Sequence, residues 1–435
     1  MDEPTATAPS APTPSTTPST TTSTGVAIVA RPQPVGVFPL PAGYLLVPAG
    51  DALDAARTDL VAGRIPAVWP DGLAFYERAL ADDADGALAL LSGDDPVSEA
   101  NRLVLLPSED GYEALAGRAA HLGDPALSAH VALLGFALGL ADLPPDPAGT
   151  EGEYAAMAHA GHATLALARR DIAAAVEHLE AGALAASPVS PALSGQLMGQ
   201  LAHAQLDEGG TKRASVTFQA ALDTLAGTDL VVSRAELHVA AGAMFQEMSE
   251  AAPRLMQQAI NHYHQAMALV NAETAPETFA IANANLGLAY LSMPMTEASD
   301  QLRVGVAVQS MREALRYFTP DSHPERWSST QLNLANALVY MPSKHQADNI
   351  AEAVQLYEEV LAARDRQTDP QGRARVLANQ GNALAHLGVF DEAKARLHEA
   401  RSIFEEFDEQ QAVMAVRSVL DEIAKHESIQ RQDST

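Results

Sequence analysis

The sequence predicts an all-α fold made of antiparallel helical hairpins stacked in series. Its alanine-rich composition includes only 5% aromatic residues, which suits helices that pack closely. A short unit recurs three times, as Asn-Leu-Gly-Leu-Ala at 285–289, Asn-Leu-Ala-Asn-Ala at 333–337 and Asn-Gln-Gly-Asn-Ala at 379–383. A second helical pattern follows each copy, and self-similarity at spacings of 48 and 46 residues is typical of helical-repeat arrays.

Charge and composition restrict the classes of function. The chain has 27 Lys and Arg residues against 55 Asp and Glu residues, a formal net charge of -28. Such a surface repels nucleic-acid phosphates and anionic lipids, so we expect neither nucleic acid nor a membrane among the partners. The sequence contains no cysteine, which excludes disulfides, thiolate metal sites and cysteine catalysis.

The first segment, residues 1–24, is almost wholly Pro, Ser, Thr and Ala, and we expect a disordered tail there. It contains no basic residue and no apolar core, so it resembles neither a secretory signal nor a transit peptide. The apolar run at 131–141 is too short to cross a membrane. These observations predict a cytoplasmic location.

Two segments precede the clear repeats. Residues 25–50 carry short β-type runs interrupted by prolines, which predicts an extended arm or a small β ribbon. Residues 51–143 show less regular helical patterns, expected to be diverged hairpins or a cap. Within them, Gly123-Asp124-Pro125 is a helix stop followed by an N-cap and a proline at the first helical position. The Pro-rich segment 144–149 is the clearest internal linker.

Hairpins follow one another through the array predicted at 151–426, before a short disordered tail at 427–435. Aligned second helices place six residues at equivalent points: Ala181, Ala220, Ala266, Ala314, Val360 and Ala400. Six hairpins exceed the roughly three that such stacks need for stability. The turn between the two helices is longer in three of the hairpins, near Met248, Met293 and Met341.

The last repeat resembles a tetratricopeptide repeat in the placement of its small and large residues. These are Gly381, Leu384, Gly388, Phe390, Ala393, Leu397 and Ala400. The two repeats before it carry Ala335, Leu338, Ala353, Tyr357 and Val360, then Gly287, Tyr290, Ala307, Met311 and Ala314. In such repeats a small residue lies where two helices touch, and a large residue fills the space beside them. The resemblance covers these three units and, less closely, residues 151–270.

The resemblance implies a right-handed superhelix, a TPR-like α-solenoid, whose concave surface is lined by first helices and holds a peptide or partner protein. The predicted binding residues on this surface are Asn285, Asn333, Asn336, Arg375, Asn379, Asn382 and His386. An asparagine amide offers donors and an acceptor, so a ladder of asparagines can pair with the main chain of an extended peptide. The alternative is that the asparagines bridge neighbouring first helices and stabilise the stack.

Histidines are the other chemically suggestive set. His159 and His162 share a helix face, and His178 and His203 lie on the two helices that follow. Two imidazoles at i and i+3 can share a metal, but the site needs a third ligand from elsewhere. We therefore predict helix histidines that are partly exposed, with no metal site and no cofactor.

The predicted function is a scaffold or adaptor that binds a peptide or partner protein in the groove of the array. No nucleophile, base and orienting residue stand in a recognisable spacing, so the chain is not predicted to be an enzyme and no catalytic residue is assigned. Two alternatives remain. One is an accessory chaperone for metalloenzyme assembly that uses the His159 cluster, and the other is a hydrolytic enzyme at 25–150 with the repeats as a targeting module.

Overall fold

The computed structural model describes residues 29–294, 300–364 and 367–433. These residues contain nineteen α-helices and one two-stranded ribbon. The chain divides into two compact units, the first Met1–Gly161 with Leu184–Leu193 and the second His162–Ala183 with Ser194–Thr435. The all-α prediction is confirmed. The tail predicted at 1–24 lies outside the described residues.

The first unit begins with the ribbon, in which β1 (Gln33–Pro34) pairs antiparallel with β2 (Leu46–Val47). The buried Asn101 amide accepts a hydrogen bond from Leu46 N at 2.7 Å and donates one to Leu46 O at 3.0 Å, which satisfies the polar edge of β2. The helices that follow are α1 Asp54–Val61, α2 Ala74–Leu80, α3 Ala84–Leu90, α4 Pro96–Leu105, α5 Glu109–Leu122 and α6 Pro125–Ala137.

The junction between α5 and α6 forms as the sequence predicts. Gly123 ends α5 with φ of 62°, in the left-handed region that glycine adopts without strain. Asp124 then caps α6, because its Oδ1 accepts hydrogen bonds from Ala126 N at 2.9 Å and Leu127 N at 3.2 Å. Pro125 occupies the first helical position, where its missing N–H costs nothing.

The two units divide within α7 (Gly152–Ala168) and α8 (Ile172–Ala186), and not at the linker predicted at 144–149. The cause is a set of contacts that hold the start of α7 in the first unit. The fully buried Glu153 carboxylate forms an ion pair with Arg31, and the Arg31 guanidinium lies 4.5 Å above the centre of the Tyr154 ring.

The second unit is a series of antiparallel helices. After α7 and α8 they are α9 Pro191–Asp207, α10 Thr211–Thr224, α11 Val231–Met248, α12 Leu255–Leu269, α13 Pro276–Ser292, α14 Asp300–Ala314, α15 Pro324–Tyr340, α16 Gln346–Ala363, α17 Pro370–His386, α18 Phe390–Glu406 and α19 Gln410–Asp433. From α11 to α18 the helices pair as hairpins, and each second helix also packs on the next first helix. The stacked antiparallel hairpins that the sequence predicts are present in this unit.

The last helix corrects the tail expected at 427–435. Helix α19 runs through Asp433, and no glycine or proline interrupts the chain after Gly388. Lys394 Nζ on α18 lies 2.7 Å from Glu427 Oε1, which adds a contact between the two helices beyond residue 426. The helix closes the apolar end of the stack with Val413, Val416 and Ile423, all buried.

Each hairpin is built around a triplet of residues on its second helix, small, large and small, at i, i+4 and i+7. The six triplets are Ala175-Leu179-Gly182, Ala214-Phe218-Ala221, Ala259-Tyr263-Ala266, Ala307-Met311-Ala314, Ala353-Tyr357-Val360 and Ala393-Leu397-Ala400, all buried. The predicted Ala181 and Ala220 are therefore wrong by one residue, because the neighbouring Gly182 and Ala221 face the core. The four later positions are confirmed.

The large member of each triplet packs against a small residue on the first helix. A Cβ atom on Gly242 would lie 2.6 Å from the Tyr263 ring, and one on Gly381 would lie 2.7 Å from Leu397 Cγ. Neither distance is compatible with a side chain at the glycine. The two helices of a hairpin therefore approach closely only where glycine or alanine is present.

A buried histidine stands out in the first unit. His130 is fully buried, and its ring lies edge-on to Tyr154 with the ring centres 6.1 Å apart. Neither ring nitrogen has a hydrogen-bond partner among the described residues. Burial lowers the pKa of His130 to about 3, so the ring is neutral in the folded unit.

Replacing Gly242 tests the helix seam. Gly242→Ala should lower the free energy of unfolding by about 1 kcal/mol, since overpacking against Tyr263 outweighs the helix-propensity gain of alanine. Gly305→Ala is the matched control, because Gly305 lies within α14 with open space around it, and it should stabilise by a few tenths to about 1 kcal/mol. Urea unfolding followed by circular dichroism measures both, and equal effects would contradict the close approach.

Acid should destabilise the first unit through His130. The unfolded chain binds a proton at this imidazole below about pH 6.5 and the folded unit does not, so stability falls as the pH drops from 6.5 toward 3, by about 2 kcal/mol at pH 5. His130→Leu should lose this component of the pH dependence. The chain has two tryptophans, Trp69 in the first unit and Trp327 in the second. In a Trp327→Phe background, the fluorescence of Trp69 therefore reports the unfolding of the first unit alone. An unchanged pH dependence in His130→Leu would refute the assignment.

Candidate functional site

The candidate site is the surface formed by the first helices α11, α13, α15 and α17 of the second unit, here called the first-helix face. Consecutive members of this set contact each other directly. The predicted binding residues lie on three of these helices, Asn285 on α13, Asn333 and Asn336 on α15, and the others on α17. The structure therefore brings most of them onto one surface, but it gives them different environments.

Three of the asparagines bridge α15 and α17. Asn336 Oδ1 accepts a hydrogen bond from the Tyr357 hydroxyl at 2.7 Å and another from Asn379 Nδ2 at 2.9 Å. Asn382 Nδ2 donates to the Tyr340 hydroxyl at 3.2 Å. These contacts favour the bridging interpretation for this half of the ladder, because the amide groups already satisfy one another.

The two basic candidates on α17, Arg375 and His386, lie outside the cavities described below. Arg375 is 64% exposed and its Nη2 lies 3.4 Å from Glu409 Oε1, an ion pair that solvent screens. His386 is exposed at the last turn of α17. Neither side chain converges with the asparagines of α13 and α15 on a common pocket.

Asn285 is joined to a tyrosine of the preceding hairpin. The Tyr263 hydroxyl donates to Gln246 Oε1 at 2.8 Å, and the Asn285 side chain lies near enough to influence its pKa. Burial raises the pKa of Tyr263, and the Asn285 contact lowers it by a smaller amount, so the phenol stays protonated. Tyr263 and Tyr357 are the central members of their triplets. Each extends its hydroxyl from a second helix to an asparagine of the first-helix face.

The triplet on α14, between these two in the chain, is different. Its central residue is Met311, which has no hydroxyl to offer. The Asn333 side chain, at the position equivalent to Asn285 and Asn379, has no hydrogen-bond partner among the residues that the structure describes. A cavity of about 430 Å³ lies at this junction of α13 and α15, with Met311 and Phe318 in its lining and Asn285 and Asn333 beside them.

A second cavity, of about 600 Å³, lies on the other side of α13. Asn285 and Leu288 line both cavities, so α13 separates two openings of the same face. The lengthened turns contribute part of the second lining: Ser249, Glu250, Pro253, Met293 and Pro294. We name the cavity at α13 and α15 the Asn333 cavity, and the one at α11 and α13 the Glu247 cavity.

The cavity residues Met311, Phe318, Leu288 and Glu247 were not among the predicted site residues. The sequence did contain one signal for them. When the triplets are aligned, tyrosine, methionine and tyrosine stand at 263, 311 and 357 before asparagines at 285, 333 and 379. Methionine at 311 lacks the hydroxyl that Tyr263 brings to Asn285, whereas Asn379 bonds Asn336 and not a tyrosine.

The histidines form pairs. The His162 and His178 rings stack with their centres 5.1 Å apart, and His238 Nδ1 lies 3.0 Å from His262 Nδ1. Burial lowers the pKa of both His238, to about 4, and His262, which keeps this pair neutral. Over the described ranges, no group of three or more metal-ligating side chains occurs. None of the described helices is both long and apolar enough to cross a membrane.

Comparison with known proteins finds solved structures with related architecture. BtubC from P. vanneervenii is 21% identical, with 55% of this chain and 92% of that chain aligned at a TM-score of 0.41. RapI in its apo form is 12% identical over 82% and 96% of the two chains, at 0.44. A human IFIT1 dimer with m7Gppp-AAAA is 11% identical over 92% and 99%, at 0.38.

No protein-family description matches the chain, and no curated protein matches it.

Two asparagines of α15 should respond differently to truncation. Asn336→Ala should lower the free energy of unfolding by about 1–3 kcal/mol, because the buried Tyr357 hydroxyl and the Asn379 amide both lose an acceptor. Asn333→Ala, on the same helix, should change it by less than about 0.5 kcal/mol, since no side-chain contact is lost. Urea unfolding monitored at Trp327 compares them, and equal losses would show that Asn333 is also structural.

Proposed function

We propose that the chain is a protein-interaction scaffold that binds an extended segment of a partner protein across α11, α13 and α15. The observation that supports it most is the Asn333 cavity. There an amide without a partner among the described residues stands beside an opening of about 430 Å³ whose lining includes Met311 and Phe318. The rest of the lining combines apolar Ile281 and Leu288 with polar groups that include Glu325 and Arg326. Apolar surface with a few convergent polar groups is the usual composition of a binding site.

The chemistry of the cavity fits a peptide. The Asn333 amide can donate to a main-chain carbonyl and accept from a main-chain N–H, as an extended segment requires. Burying one large apolar side chain against Met311 and Phe318 would contribute about 1.5–3 kcal/mol, while each hydrogen bond would contribute about 1 kcal/mol. Apolar contact is therefore the larger source of affinity, and the amide sets the alignment of the segment.

The proposal uses the predicted ladder only in part. Asn285 and Asn333 are the proposed contact residues, whereas Asn336, Asn379 and Asn382 hold the adjoining helices together. Arg375 and His386 remain outer candidates at the α17 end of the face. We further propose a cytoplasmic location and a role without catalysis. No observation among the described residues favours the metalloenzyme chaperone or the hydrolase.

The test is Met311→Tyr. A tyrosine there would restore the hydroxyl found at Tyr263 and Tyr357, and would fill the Asn333 cavity. Gly287 faces position 311 as Gly242 faces Tyr263, so the ring would lie over a glycine in both hairpins. We expect the variant to fold with unchanged or higher stability and to lose partner binding.

Affinity purification from the native host, with wild type and variants quantified by isotope ratio, measures the effect. Met414→Tyr is the matched control, since Met414 is 68% exposed on α19. The captured amount of each protein that binds through the first-helix face should fall in the Met311→Tyr sample and stay constant in the control. Undiminished capture by Met311→Tyr, or no specific capture by wild type, would refute the proposed function.

A further inference from the structure

We infer that the Glu247 cavity recognises a partner segment in which a lysine or arginine neighbours a large apolar residue. This inference rests on the proposed function and names the chemistry of the partner. It follows from the apolar side chains that line the cavity and from the two carboxylates beside them, neither of which has a partner among the described residues.

The lining supplies an adaptable apolar surface. Met256 is 8% exposed, Leu288 is 36% exposed, and Met293 is partly buried beside them. Methionine side chains are flexible and polarisable, so they can accommodate apolar groups of different shape. A volume of about 600 Å³ has room for more than one large side chain.

The charged groups of the lining are all acidic. Glu247 and Glu250 line the cavity, and no lysine, arginine or histidine does so among the described residues. Both residues are exposed, and neither carboxylate has an ion-pair or hydrogen-bond partner in the described part of the chain. A cation brought between them would therefore compete with water alone, and not with an internal partner.

Local helix stability gives no reason for acids at this place. Helix α11 ends at Met248, so Glu247 lies in its last turn and Glu250 just beyond it. The C-terminus of a helix carries a partial negative charge, which makes a carboxylate there unfavourable. A bound cation would offset the repulsion of these carboxylates by the helix end.

Several cations also lie on or beside the face. Arg326 on α15 lines the Asn333 cavity, and Arg375 on α17 is paired with Glu409. Arg303 on α14 donates from Nη2 to Pro294 O at 2.8 Å, at the rim of the Glu247 cavity. The charged groups of the cavity lining itself are Glu247 and Glu250, so the basic residue of a bound segment should lie at the end of α11, with its remainder extending over α13 toward α15.

Charge complementarity also predicts how the complex forms. The net charge of -28 attracts a cationic segment at distances up to the screening length of about 10 Å at 0.1 M salt. Association should therefore slow as salt is added, while the apolar contact in the cavity is retained. An acidic or purely apolar segment would gain no such acceleration.

The test uses the full chain and a degenerate peptide library. Each peptide fixes Lys, Gln or Glu at one site and Leu or Ser at a neighbouring site, with all other positions mixed, and binding is measured by fluorescence anisotropy. We expect the Lys–Leu pool to bind most tightly. Replacing Lys by Gln, or Leu by Ser, should weaken binding about tenfold, the effect of losing one charged or apolar anchor.

A double variant, Glu247→Gln with Glu250→Gln, should reduce Lys–Leu binding about tenfold and leave the Gln–Leu pool unchanged. The matched control changes Asp421→Asn and Glu422→Gln, two exposed acids of α19, and so removes the same net charge elsewhere. Circular dichroism confirms that both variants fold. If the control weakens binding as much as the cavity variant, the effect is one of total charge and the inference fails.

Met311→Tyr separates this inference from the proposed function. If Met311→Tyr abolishes the binding of every pool, the pools bind through the first-helix face. A preference of the wild-type chain for the Lys–Leu pool then supports the inference. Binding that depends on Met311→Tyr but shows no preference for Lys over Gln or Glu would overturn the inference alone. Binding of no pool, or binding insensitive to Met311→Tyr, would overturn both.

Discussion

Close contact between a small residue of one helix and the central side chain of a triplet on the other fixes each hairpin of the second unit. At Gly242 and Gly381 there is no room for even one additional carbon atom against Tyr263 and Leu397. Because the backbones are so near, the side chain at the centre of the triplet reaches across the hairpin toward the first-helix face. The same contact that stabilises the stack thus decides which atoms lie beneath the binding surface.

The hydrogen-bonding groups of the central triplet residue differ from one hairpin junction to the next. Tyr263 and Tyr357 end in hydroxyls that need partners once buried. The Tyr263 hydroxyl donates to Gln246 and lies beside Asn285, and the Tyr357 hydroxyl donates to Asn336. Met311 has no hydroxyl and needs no hydrogen-bond partner. The hairpin therefore remains stable while the Asn333 amide stays open to solvent and to ligand. A structural and a binding asparagine can therefore occupy equivalent positions in neighbouring repeats, and the residue beneath them sets the difference.

The sequence was sufficient for the fold because period, glycine and alanine positions and helix caps are all local signals. It placed Ala266, Ala314, Val360 and Ala400 correctly, but was wrong by one residue at Ala181 and Ala220. In those two helices another small residue, Gly182 or Ala221, directly follows the predicted position, so spacing alone does not distinguish the core face. The division of the ladder depends on contacts between residues more than 20 positions apart, such as Tyr357 with Asn336 and Asn336 with Asn379.

The triplets have a consequence for how such an array can diversify. The central residue of a triplet contacts polar groups of its own first helix and of the next one, as Tyr263 does with Gln246 and Asn285. Exchanging tyrosine and methionine between neighbouring triplets would relocate the opening by one repeat while leaving the helical framework in place. A single buried position in each hairpin would then determine where along the array a partner binds. Related proteins could change the binding position without changing the surface residues that the partner contacts.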